Sequence, residues 1–205
     1  MTYSYRTCSY WLGGVLALAL VVPAGAQEAP RKIFRGAVET VDANAIDLKT
    51  KDGQSVKVSL TPDWKVRVVV PIGVETIHAG SFIGTAQVPQ ADGVGRSLEV
   101  HVFPPGVKSG EGERDWDSQP GAKMTNGTVG GEVTADAKGR ELTLTYPGGS
   151  RKIVIPPDVP VVQFNAAERT DVKPGVQVFI VAQGNGSNWK TNSIAIGQNG
   201  AAPPM

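Results

Sequence analysis

Four carboxylates stand at every second position in the stretch HVFPPGVKSGEGERDWDSQPGAKMTN: Glu111, Glu113, Asp115 and Asp117, with Arg114 and Trp116 between them. Hard cations such as calcium take about six to eight oxygen ligands, and calcium loops place carboxylates at alternate positions where glycine lets the chain bend. Gly110 and Gly112 would permit that bend. His101, at the entrance to the stretch, adds an imidazole that could join a metal site or take up a proton as pH falls. A divalent-cation site built from His101, Glu111, Glu113, Asp115 and Asp117 is therefore one reading. Against it, Arg114 puts a positive charge inside the run, the distal bidentate Glu of a calcium loop is absent, and one histidine is too few for zinc. The favoured reading is a solvated loop with one or two ion pairs, His101 hydrogen-bonded to backbone, and no cofactor.

Trp116 raises a second chemistry, shared with Trp64 and Trp189. An exposed indole can stack on a sugar ring, and small barrels bind oligosaccharides on one face. The structural alternative is an indole tucked between two domains, its N–H bonded to a carbonyl. We favour the latter, with Phe103, Arg114, Trp116, Asp117, Met124 and Asn126 ordering the connector.

Catalysis is poorly served. His78 and His101 are the chain's two histidines, and neither a Gly-x-Ser-x-Gly elbow nor a GxxxxGK[ST] loop occurs. A carboxylate pair could do acid/base hydrolysis only if held on opposite sides of a cleft, which adjacent acids on a glycine-rich loop are not. The expectation is a protein that is not an enzyme, with a hydrolase the last alternative. His78 is expected in an exposed turn.

The elements that would position these residues are strands. Apolar residues alternate in Val56, Val58, Leu60 and in Val66, Val68, Val70, the period of a strand with one buried face. Similar runs cover 34–41, 45–50, 82–88 and 97–103, separated by turn residues such as Asp52-Gly53 and Asp92-Gly93. Any helix is short, with Val74–His78 the best candidate.

The second half repeats the first. Gly36-Ala37-Val38 answers to Gly131-Glu132-Val133, Val58-Ser59-Leu60 to Ile153-Val154-Ile155, and Ile77-His78-Ala79-Gly80 to Val172-Lys173-Pro174-Gly175. A constant offset of this kind signals an internal duplication. The predicted class is all-β: two tandem small antiparallel barrels, over 33–103 and 127–197, joined by an ordered irregular connector, 104–126. Residues 198–205 form a tail, expected as an extended strap or disordered.

Arg6, an apolar run from Trp11 to Val22, and Pro23-Ala24-Gly25-Ala26 read as a secretory signal peptide over 1–26, cut after Ala26; a retained leader is the alternative. The run falls short of the roughly 20 residues of a membrane span. Cys8, the single cysteine, would leave with the leader, so no disulfide is expected. The chain has 20 basic and 19 acidic residues. Without Arg6 it is formally neutral and shows no basic cluster in sequence, which argues against nucleic acid and anionic membrane surfaces as partners.

The leader, the two β-units, His101-Val102-Phe103-Pro104, Gly110-Glu111-Gly112, Arg114, Trp116-Asp117, Met124-Thr125-Asn126 and the ending Pro203-Pro204-Met205 together resemble a family of exported proteobacterial proteins. That family is built from a domain of unknown function with a small barrel like that of oligonucleotide/oligosaccharide-binding folds. Relatives often carry a metal transporter permease label. The resemblance implies that barrel architecture and a periplasmic or secreted compartment and supplies no activity; the reading taken here is a non-catalytic binding or envelope-associated module of unknown ligand, not membrane-spanning after cleavage. This chain has Glu113 and Asp115 where relatives tend to have His and Pro around the connector's Arg, which weakens a histidine-ligand site.

Overall fold

The computed structural model describes residues 1–2, 29–137 and 139–205, so the expected leader, with Cys8, lies outside the described residues save for its first two. Twelve strands follow: β1 (Arg31–Val41), β2 (Ala45–Thr50), β3 (Ser55–Pro71), β4 (Phe82–Pro89), β5 (Gly95–Val102), β6 (Gly112–Asp115), β7 (Lys123–Asp136), β8 (Gly139–Tyr146), β9 (Gly149–Ile155), β10 (Val161–Ala167), β11 (Gln177–Asn185) and β12 (Asn188–Gly197). Among the described residues the helical elements are three-residue 3-10 turns, one at Val74–Thr76 where a short helix is expected. None is long and apolar enough to cross a membrane.

Alternation builds a closed five-stranded barrel. β1 turns Phe34 and Val38 inward, β2 Ile46 and Leu48, β3 Val58, Leu60, Trp64 and Val66, β11 Val178 and Ile180, and β12 Ile194 and Ile196, all in one buried cluster. Lys49, Lys57 and Lys65, between them in sequence, face water. Each such apolar side chain contributes about 1.5–3 kcal/mol over leaving it exposed, which pins the register of every strand. Antiparallel pairing runs β12–β11–β1–β2–β3. The ring closes where β12 lies parallel to β3, Trp189–Thr191 against Val58–Leu60 and Ser193–Gly197 against Lys65–Val69.

Expected as two runs, β3 is one long strand with a bulge. Pairing to β2 ends at Ser59 and pairing to β10 begins at Val66. Pro62 falls between, where no ladder N–H is needed. Arg169 covers the bulge, donating to Pro62 O at 2.9 Å and Trp64 O at 3.0 Å.

The closed barrel is not the contiguous unit 33–103. β4 and β5 leave it, and β11 and β12, from the far end of the chain, take their places. The turns between explain the exchange. Ile77 is fully buried in the cluster of Ile83, Val100, Leu142, Leu144 and Ile153, with Ile72 and Val74 packed on it, so the chain after β3 is drawn to the other strand set. Val172 is drawn the opposite way, into the barrel's own core.

The other strands extend the sheet. β10 is antiparallel to β3 and parallel to β5, and β5–β4–β7–β8–β9 follow, with β9 meeting β5 again at Gly95–Ile153 and Arg96–Val154. A third cluster, Val69, Phe82, Phe103, Val162, Phe164, Ala195 and Met205, fills the seam between this set and the barrel. The tail is a strap. Met205 is buried in the seam, and Arg35 Nε donates to its carbonyl at 2.7 Å.

Candidate functional site

The connector is more regular than its glycines and prolines suggest. β6 pairs with the start of β7, Glu113 opposite Thr125 and Asp115 opposite Lys123. A period of two places Glu113 and Asp115 on one face of the strand and Arg114 on the other. The alternating acids are thus a strand face, not a ligand loop.

Three of the four acids meet different cations. Arg151, from β9, grips Glu113 with both arms, Nε to Oε2 at 2.8 Å and Nη2 to Oε1 at 2.6 Å, and the Thr125 hydroxyl donates to Oε2 at 3.0 Å. The Arg151 hydrogen bonds hold the Glu113 carboxyl below its usual range, against the opposing pull of burial. Asp115 is paired with Lys123, which lowers its pKa in turn. Asp117 takes both arms of Arg35, on β1 of the barrel, at 2.8 Å each. Glu111 is exposed. Among the described residues no three His, Cys, Asp or Glu side chains stand together as a metal site would require, so the candidate set His101, Glu111, Glu113, Asp115 and Asp117 is not assembled.

His101 is not at the connector's mouth but buried at the seam. Its Nδ1 lies 3.2 Å from Glu99 Oε1, and its ring packs edge-on against Phe103 and Phe164 at 5.2 and 5.4 Å. A buried carboxylate needs donors, and Glu99 has His101 and the Ala86 amide, which donates to Oε1 at 3.3 Å. Gly84 explains how the ring fits. A Cβ there would overlap both His101 Nε2 and Asn126 Oδ1. Asn126 Nδ2 donates to Ser109 O at 2.8 Å, tying the connector to the sheet. His78, in contrast, is exposed.

Trp64, Trp116 and Trp189 do not form a stacking platform. Trp64 is a core residue of the barrel, 3% exposed, with the Arg169 guanidinium 4.7 Å from its ring centre. Trp189 is half-buried against Phe34 at 5.7 Å. Trp116 is half-buried 6.3 Å from Phe179 of β11, so it pins the connector to the barrel. The carbonyl bond expected of its indole N–H is not found among the described residues, and the pin is ring contact. Phe103 and Met124 are buried, and Arg114 is half-buried with Nη1 donating to Gly110 O at 2.7 Å.

No family model, curated protein or solved structure matches this chain. Its own surface is therefore the guide to a site. A cleft of about 750 Å³ opens where the outer face of the barrel meets the connector, lined by Arg31, Arg67, Lys190, Ser109, Phe179 and Val181 among others. Sequence reasoning passed over these cations because they are scattered over 160 positions and each looks like an ordinary strand-surface residue. Arg35, Glu99, Lys123 and Arg151 were missed likewise. The one readable signal was Glu99-Val100-His101-Val102-Phe103, in which two titratable residues share a face with a phenylalanine.

Proposed function

We propose that this protein is a non-catalytic binding module, exported to the periplasm or beyond, made of two small barrels that arose by duplication. The recurrence of elements supports the duplication. Val74–Thr76 and Arg169–Asp171, both 3-10 turns, stand 95 residues apart, and β1, β2, β3, β4 and β5 recur in order as β7, β8, β9 with β10, β11 and β12. Each half lends its last two strands to the other, and the contact of β5 with β9 and β10 answers that of β12 with β3. The resemblance to the exported family and the leader-like first residues support the compartment.

The observation that carries the binding reading is the open cleft between barrel and connector. The candidate acids and histidine do not line it and are engaged elsewhere: Glu113 by Arg151, Asp117 by Arg35, His101 by Glu99. Groups held in such pairs serve structure rather than proton transfer to a substrate.

The test is the full chain, expressed with its own first residues and purified. The mature protein is expected in the periplasmic or secreted fraction, beginning at Gln27, inert toward ester, phosphate and glycoside substrates, with a melting temperature that rises in the presence of a bound ligand. Turnover abolished by Glu113→Gln or His101→Ala would make it a hydrolase. A melting rise with calcium or zinc, lost in Asp117→Asn or His101→Ala, would restore the metal site.

A further inference from the structure

The cleft has a charge pattern that the neutral composition hides. Arg31 of β1 pairs in register with Gln183 of β11, and Gln183 with Lys190 of β12, so Arg31, Gln183 and Lys190 form one row across three strands. With neighbouring strands roughly 4.8 Å apart, the two cations of that row are anchored about 10 Å from each other. Arg67 of β3 pairs with Ala195, five residues further along β12 than Lys190, which places it roughly 15 Å down the cleft at about 3.3 Å per residue. Among the described residues no Asp or Glu lines the cleft. Among the described residues neither Arg67 nor Lys190 has a carboxylate partner, the Arg67 guanidinium lying instead 5.9 Å from the Phe164 ring centre. Arg114, five residues beyond Ser109 in sequence, is held below the usual guanidinium range chiefly by burial, with the charge of Arg31 a smaller cause. The wall between the cationic ends is mixed, Thr191, Asn192 and Ser193 standing beside Phe179, Val181 and Ala195, with Val181 one of few large apolar side chains left exposed, at 39%.

We propose that this cleft binds an elongated ligand carrying oxyanion groups, carboxylate or phosphate, spaced to meet Arg31 and Lys190 at one end and Arg67 at the other. One oxyanion cannot reach both ends, so a single inorganic anion binds weakly and a chain of them binds well. A short acidic oligosaccharide and a small bisphosphate share this chemistry. The inference rests on the binding-module reading and names the ligand class of the same cleft.

The test is calorimetric titration of the full chain at low ionic strength with trigalacturonate, fructose 1,6-bisphosphate, inorganic phosphate and neutral maltotriose. The expected result is binding of trigalacturonate or the bisphosphate, weakened at least tenfold in Arg67→Gln and in Lys190→Gln, weakened by added salt, and unchanged in Lys57→Gln, a cation on the same strand outside the cleft. Which of the two binds identifies the source of the oxyanions. The melting temperature of each variant without ligand checks its folding, and Lys190, being exposed, is the safer change. Maltotriose binding as tightly as trigalacturonate overturns the oxyanion inference and leaves the binding module standing. Anion binding undiminished in both cleft variants overturns the assignment to this cleft. No binding of any probe overturns both readings.

Discussion

The closed barrel and the strand set beside it both have apolar cores, but they differ in how much polar chemistry they bury. The barrel is filled by aliphatic and aromatic side chains, from Phe34 and Ile46 to Trp64 and Ile194. Seven of the eight buried polar side chains among the described residues lie instead on β4, β5 and β7: Thr85, Gln87, Ser97, Glu99, His101, Thr125 and Asn126. One region is held by apolar burial, which is non-directional and tolerant; the other adds to its apolar cluster of Ile77, Ile83, Val100, Leu144 and Ile153 a layer of polar side chains whose hydrogen bonds are directional. Such a network costs most when half broken. The barrel is thus the frame, and the second set is a lobe whose apolar core is supplemented by directional hydrogen bonds.

Cutting the chain should have the largest effect. If the barrel needs β11 and β12, a fragment of residues 29–103 holds three of its five strands, leaves β3 without its parallel partner and exposes the inner faces of β1 and β2. It is expected to show no cooperative unfolding transition by circular dichroism, where the full chain shows one. A folded fragment would mean that β4 and β5 can close the barrel themselves and that the exchange of strands is a choice between near-equal pairings.

That exchange marks the limit of what could be read from the chain. Strands and turns were legible because alternation and Asp-Gly pairs are local signals, and the recurrence of Ile77 in Val172 was legible because both sit before a glycine turn. Which strand those two residues hand the chain to depends on the core that receives each one, and no local pattern carries that. Ser97, Glu99 and His101 alternate with Leu98, Val100 and Val102 and so read as a solvent face. A bulge between the pairs of Ala86 and Gln87 turns Ser97 inward, and the seam buries Glu99 and His101. The connector acids were visible, but their cations arrive from β1, β7 and β9. The cleft was invisible, since the row Arg31–Gln183–Lys190 exists only once β1, β11 and β12 are neighbours.

The next effect in size falls within the polar lobe. Arg151 is 25% and Glu113 19% exposed at the side chain, so Arg151→Gln strands a half-buried carboxylate. A loss of about 1–3 kcal/mol is expected from urea midpoints near neutral pH. The pH dependence gives a second reading. Because the folded-state pKa of Glu113 lies below the value of 4.5 it has when unperturbed, its contribution is fully present above that value and is lost as pH falls through the folded pKa. Stability should therefore drop on acidification below about pH 4.5, and the Arg151→Gln protein should show a shallower drop in that window. An equal slope in both proteins would assign the acid sensitivity to other carboxylates.

The smallest effect separates the two ties between connector and barrel. Asp117 and Arg35 form a bidentate pair, but the Asp117 side chain is 50% exposed, so water and salt compete for it. Asp117→Asn should cost under about 1 kcal/mol, less still in high salt. Trp116 on Phe179 loses nothing to salt, and its removal should cost more, through lost apolar burial. If Asp117→Asn proves the costlier change, the ion pair rather than the ring contact orders the connector. The barrel would then depend on a charged tie at its rim, and the division between an apolar frame and a polar lobe would no longer hold at the point where the two regions meet.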